Sequence, residues 1–180
     1  MKYLELTRNG RIGILGQLEW MPAFLEQTFG SLSEAEGLVK GPDQGFAPVE
    51  QCWHLADLER EGFGMRLLRL RDETDPFLPD FDGGRIAVER DYLRRSLGDG
   101  MSAFRAARSE NLDLLRSLQS DQWSRAGTQQ GVGPMMLCDL PHMMAEHDTA
   151  HRSEIDAWAR STERLRRGTM RDRHGSDEPR

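Results

Sequence analysis

Cysteine, tyrosine and lysine are each present only twice among 180 residues. Cys52 and Cys138 are too few for a disulfide framework, and such sparse use fits a reducing compartment; both read as small core residues rather than reactive thiols. Lys2 and Lys40 are the only lysines, and acids outnumber bases to give a formal charge of −6 and a pI near 5.4. Nonspecific affinity for nucleic acid comes from clustered basic residues, so this balance argues against a nucleic-acid partner. Also missing is any uninterrupted apolar run approaching the roughly 18 residues of a membrane span. Met1 to Gly10 is polar, with no apolar stretch behind a basic start. A cytoplasmic protein without a membrane partner is the expectation. No second composition regime interrupts the chain, which reads as one domain over 1–165 followed by a charged tail, 166–180, expected to be disordered.

What is present is helical periodicity. Ile14, Leu18, Met21, Leu25 and Phe29 recur at helical spacing and predict a first helix from about Asn9 to Gly30, with Pro22 kinking it or moving its start. Ser33 and Glu36 stand at capping-box spacing before Gly37, and Gly41 to Gly45 is a loop. A second helix opens at Pro48 and carries His54, Leu58, Met65 and Leu68 on one face to about Arg71; Gly62 and Gly64 in its middle suggest a close helix approach. Asp75 to Gly84, rich in Pro and Gly, reads as a crossover connection. Ile86 to Leu97 has moderate helical character, Gly98-Asp99-Gly100 reads as a break, and Met101, Phe104, Leu112, Leu115 and Leu118 mark a third long helix with a charged exposed face. Ala126 to Pro134 reads as a loop, and a fourth helix is expected from about Met136 to Arg160, with Pro141 kinking its start or placing that start at Leu140. No strand pattern is evident. Four long amphipathic segments predict an all-α four-helix bundle with a long crossover connection.

The fourth helix holds the stretch with chemistry in it. Leu140, Met144, His147, His151, Ile155 and Trp158 follow at steps of four, three, four, four and three, so both histidines lie on the apolar stripe and point inward. Imidazoles four residues apart are separated by about 40° around a helix and can close on one ion. His54 lies on the inward stripe of the second helix, and three neutral imidazoles plus water form a common catalytic metal set. The alternative, three core histidines hydrogen-bonded to carboxylates, stays open on spacing alone. His142 falls roughly 140° from His147 and is left out of the site; His174 lies in the tail. Glu50, Asp57 and Glu154 are candidates to orient the imidazoles, Glu154 alternatively as a direct ligand, and Glu154 and Asp57 are the candidate general acids or bases. Asp148 reads as a surface acid, and Trp53, Trp123 and Trp158 as packing residues. With ordinary histidines, metal occupancy would fall below about pH 6.

Ala47-Pro48-Val49-Glu50-Gln51-Cys52-Trp53-His54-Leu55-Ala56-Asp57, Gly133 through Leu140 leading to His147-Asp148-Thr149-Ala150-His151-Arg152, and the Pro/Phe-rich crossover between them resemble the DinB-like (YfiT-like) helical-bundle metalloproteins across roughly Arg8 to Ala159. Met136, where the family often has Thr, and Pro141 depart from its pattern. The resemblance implies a four-helix bundle, usually a homodimer, holding a divalent ion through the positions that here are His54, His147 and His151. Zn or Ni is the expected metal, with Fe or Mn as alternatives. The family's activities include thiol S-transfer, so the resemblance implies a metal-dependent enzyme acting on a small molecule, in particular a low-molecular-weight thiol. A metal-dependent hydrolase or isomerase, or a stress-related metal-binding protein without turnover, remain as alternatives.

Overall fold

Helix α1 (Arg8–Phe29) buries the five residues of its predicted stripe, Ile14, Leu18, Met21, Leu25 and Phe29. Pro22 sits inside it without ending it. Proline has no N–H for the carbonyl four residues earlier, and that carbonyl, on Leu18, instead accepts from the Arg108 guanidinium at 2.9 Å. The short α2 (Glu34–Gly37) has the expected capping box: Ser33 Oγ accepts from the Glu36 backbone, and Glu36 accepts from the Ser33 N–H.

The second long rod begins with α3 (Pro48–Asp57), continues through a π-helical stretch at Leu58–Gly64 and ends as α4 (Met65–Asp72). A π turn inserts extra residues and rotates everything after it. Leu67 and Leu70 are therefore buried while Leu68, expected on the inner face, is exposed. Gly64 is where the backbone needs room: a β-carbon there would lie 2.9 Å from Asn111 Oδ1. For Gly64 this is the close helix approach expected; Gly62 instead faces Leu58 of its own helix and Phe81 of the crossover.

The crossover contains β1 (Phe77–Leu78) and leads to α5 (Gly83–Glu89), capped by Asp82. Helix α6 (Leu97–Ser117) starts on Ser96 as N-cap, so Gly98-Asp99-Gly100 is its first turn and not a break. Gly100 lies against α3, where a β-carbon would meet Cys52 Cβ at 3.0 Å. The expected loop at 126–134 is a hairpin, β2 (Ala126–Gln129) and β3 (Gly133–Met136), with Gly131 and Gly133 at positive φ in and after its turn. β1 pairs in parallel with β2, Phe77 opposite Thr128, completing a three-stranded sheet. Strands this short show no alternation to read, and the pairing of β1 with β2 spans about fifty residues of chain; the absence of strands was the wrong expectation for that reason. Helix α7 runs Leu140–His174, so of the two readings of Pro141 the helix start at Leu140 holds.

The computed structural model describes the backbone of residues 3–174 and side chains of residues 3–164. The tail expected over 166–180 therefore lies outside the described side chains, and its last six positions lie outside the described backbone. Among the described residues no helix is long and apolar enough to cross a membrane.

The rods α1, α3 to α4, α6 and α7 form a four-helix bundle, with α3 against α6 and α1 against both α6 and α7. Its core is two apolar clusters. One holds Leu18, Leu58, Leu112 and Met144 with Leu78 and Met135 of the sheet; the other holds Met21, Leu55, Phe104, Ile155 and Trp158. The positions between them in sequence on α7 and α6 are His147, Asp148, His151 and Arg108, so a polar layer crosses the bundle between the two clusters.

Candidate metal centre

His54 from α3 and His147 and His151 from α7 come together in this layer. Ring centroids are 4.3 Å apart for His147 and His151, 4.9 Å for His54 and His151, and 5.5 Å for His54 and His147. One ring nitrogen from each lies within 4.8 Å of the other two. His147 Nε2 and His151 Nε2 are 3.1 Å apart. Two ligands at about 2.05 Å from one tetrahedral ion are separated by roughly 3.3 Å, so this pair already stands near ligand spacing.

The rings are held from behind. His151 Nδ1 donates to Gln51 Oε1 at 2.6 Å. The other end of that amide, Gln51 Nε2, donates to Glu154 Oε2 at 2.8 Å, so its oxygen must face the ring. In its neutral form the His151 ring then carries its proton on Nδ1 and leaves the Nε2 lone pair toward His147. Gly83, at the start of α5, leaves the space His54 occupies: a β-carbon there would lie 2.3 Å from His54 Cε1 and 2.6 Å from Nδ1. His54 Nδ1 is buried without a hydrogen-bond partner.

Burial lowers the pKa of His54 to about 4 and of His147 to about 3, with the neighbouring histidines adding to the effect. Both rings are neutral at physiological pH, the form that binds metal. Neutral donors near ligand spacing, an inward lone pair and an unpaired buried nitrogen all fit a divalent ion.

The carboxylates singled out in the sequence take different places. Glu154 lies on the Nδ1 side of His151, 3.3 Å away, opposite the nitrogen that faces His147; hydrogen bonds from His151 and Gln51 lower its pKa to about 2. Glu50 caps α3 through the Ala47 N–H at 2.9 Å and pairs with Lys40 at 2.6 Å. Asp57 accepts from Tyr92 Oη at 2.6 Å and pairs with Arg60 and Arg90, each at 2.6 Å. Burial alone would raise its pKa, but those hydrogen bonds hold it below the usual range. Neither Glu50 nor Asp57 hydrogen-bonds a histidine of the cluster. His142 stays apart, 3.8 Å from Glu146.

Asp148 is not a surface acid. It is buried and grips Arg108 through both oxygens at 2.7 and 2.9 Å, while Glu59 takes the other edge at 2.7 and 3.0 Å. Charge at these positions reads in sequence as a solvated face, and only the packing of three helices around Pro22 turns it inward. Gln51 was also missed, although it stands three residues before His54 on the same helix face. No sequence signal marks Gly83.

An open cavity of about 390 Å³ adjoins the cluster. His54 and His147 line it together with Phe63, Phe81 and Met143, and Asp80 and Glu146 are carboxylates on its wall.

Compared with known proteins, the chain matches the family model of the DinB superfamily over residues 17–155. No curated protein matches it. Among solved structures it is similar to YfiT from Bacillus subtilis, with a TM-score of 0.79 and 18% sequence identity over 88% of this chain and 90% of that one. YfiT is described as "a probable metal-dependent hydrolase with an unusual four-helix bundle topology". At that identity the likeness is one of fold.

Proposed function

This chain belongs to the DinB superfamily, and we propose that it is a metal-dependent enzyme of small-molecule transfer in which His54, His147 and His151 hold one divalent ion. The observation that carries the reading is the convergence of three ring nitrogens within 4.8 Å of one another beside an open cavity. An all-imidazole donor set suits Zn²⁺ or Ni²⁺ first, with Fe²⁺ or Mn²⁺ as alternatives. Three protein ligands leave a position for an exogenous group, and an ion there lowers the pKa of a bound thiol or water.

The protein's own residues supply the rest. Gln51 and Glu154 fix the His151 tautomer, and Gly83 leaves room for His54. Phe63, Phe81 and Met143 form an apolar part of the cavity wall, and low polarity beside the histidines strengthens electrostatic interactions at the centre. Asp80 and Glu146, on the same wall, are the carboxylates best placed to take a proton from an entering nucleophile. The preferred nucleophile is a low-molecular-weight thiol transferred to an electrophile. Hydrolysis is the second reading, favoured by these cavity carboxylates and by the description of YfiT.

Elemental analysis of protein purified without chelator should find about one divalent ion per chain, lost in His151→Ala. Zn²⁺- or Ni²⁺-loaded protein should then consume a low-molecular-weight thiol when an electrophile is present, and His147→Ala should not. Metal uptake without turnover of a thiol or an ester would leave a non-catalytic metal-binding protein. An unchanged metal content in His151→Ala would refute the site itself.

A further inference from the structure

Among the described residues two arginines are buried, and they are treated differently. Arg108 is 1% exposed, and its guanidinium is engaged by two carboxylates and a carbonyl. Arg66 is 4% exposed, yet among the described residues it has no carboxylate within ion-pair distance. Its one hydrogen bond is a long one, Nη2 to Pro79 O at 3.4 Å, and its Nε is buried with no partner at all. A buried cation without an anion is costly. Burial accordingly pulls the Arg66 pKa down, with only the charge of Asp80 acting the other way.

Arg66 lines the cavity beside the histidine cluster. So does Gln129, 5% exposed, whose Oε1 is likewise buried without a partner. The two arrive from distant parts of the chain, Arg66 on α4 just after the π-helical stretch and Gln129 at the end of β2. Phe63 connects Arg66 to the metal centre: its ring centroid is 5.9 Å from that of His147 and 6.0 Å from the Arg66 guanidinium carbon. Two unspent polar groups on a wall that also carries Leu58, Phe63, Phe81 and Met143 are how a small-molecule pocket fixes the orientation of what it binds.

We propose that Arg66 and Gln129 form a substrate subsite for the carboxylate of a small monoanionic acid that also carries a hydrogen-bond donor, with its reacting group directed at the histidine cluster. The guanidinium pairs with the carboxylate, and Gln129 Oε1 accepts from the neighbouring hydroxyl or amide N–H. Asp80 and Glu146 on the same wall disfavour a doubly charged phosphate, and one unpaired guanidinium balances one negative charge. The cavity, about 390 Å³, suits a molecule of small-metabolite size. The orientation toward the cluster rests on the metal-enzyme reading above; the carboxylate subsite stands on Arg66 and Gln129.

The test is calorimetric titration of the metal-loaded protein with N-acetylglycine, its neutral amide and inorganic phosphate. The acid should bind at least about tenfold more tightly than the amide, the scale of a charge-assisted hydrogen bond, and more tightly than phosphate. Arg66→Met should remove that preference while metal content by elemental analysis stays at the wild-type level. Arg66→Lys, which keeps the charge without the fork, should recover part of it. Should Arg66→Met not fold, Gln129→Met, which removes an oxygen that bonds nothing in the free protein, should weaken the acid several-fold. Equal binding of acid and amide, tighter binding of phosphate, or unchanged affinity in metal-replete Arg66→Met would each overturn the subsite. Failure of the metal reading is separate, because it appears as metal retained in His151→Ala whatever the acids do.

Discussion

Arg108→Met is the sharpest probe of the polar layer that splits the core. In the folded protein the guanidinium makes two hydrogen bonds to Glu59, two to Asp148 and one to the Leu18 carbonyl that Pro22 leaves without a helical donor. Methionine fills part of the volume but satisfies none of these, so two carboxylates and a carbonyl are left inside. Removing one partner of a buried ion pair costs about 3–5 kcal/mol. For a chain of this size that is a fall in melting temperature on the order of 10 °C. The loss should also depend on pH. Burial already raises the Asp148 pKa, and Arg108 is what pulls it back, so without Arg108 the native state holds a proton on Asp148 more readily than the unfolded chain does. Stability then falls as pH rises through the carboxylate range, and the penalty is smaller at pH 5 than at pH 7.5. Urea unfolding followed by circular dichroism, in chelator so that metal linkage does not enter, measures both numbers. A cost below about 1.5 kcal/mol, or one equal at the two pH values, refutes the argument that the layer is an obligate buried charge network.

Because burial lowers the pKa of His54 to about 4 and of His147 to about 3, protons should compete with the metal for these two ligands only well below the pH 6 expected of ordinary histidines, which equilibrium dialysis against pH will read. The same depressed values make metal-free protein lose stability as pH falls from about 6.5 toward 4, since only the unfolded chain gains those protons, at up to about 1.4 kcal/mol per unit for each histidine; a flat unfolding profile in that window would contradict the burial argument. Gly83→Ala should push His54 out of line and weaken metal binding by about 10- to 100-fold with little change in helix content, as a chelator competition would show. Gly64→Ala, whose new methyl meets Glu59 O at 2.8 Å and Asn111 Oδ1 at 2.9 Å, should cost about 1–3 kcal/mol in urea unfolding. Chelation at neutral pH should leave the helical circular dichroism intact, because two apolar clusters hold the bundle without the ion.

Local physics was written plainly in the chain. The α1 stripe, the Ser33 capping box, the start of α3 at Pro48 and the inward placement of His54, His147 and His151 follow from periodicity and capping, which need no knowledge of what lies opposite. Tertiary structure alone decided where three departures go. The π-helical turn rotates α4 so that Leu67 and Leu70 face in and Leu68 faces out, and Arg66 joins the cavity wall. Arg108, Glu59 and Asp148, each an ordinary surface residue by composition, become buried because they answer one another across three helices and one of them answers Pro22. Gln129 reaches the cavity wall only because β2 pairs with a two-residue strand some fifty positions earlier. A helix face is fixed by neighbours three and four residues away, whereas a buried charge or a short strand is fixed by a partner the chain supplies from elsewhere, and that partner is visible only once the helices have packed.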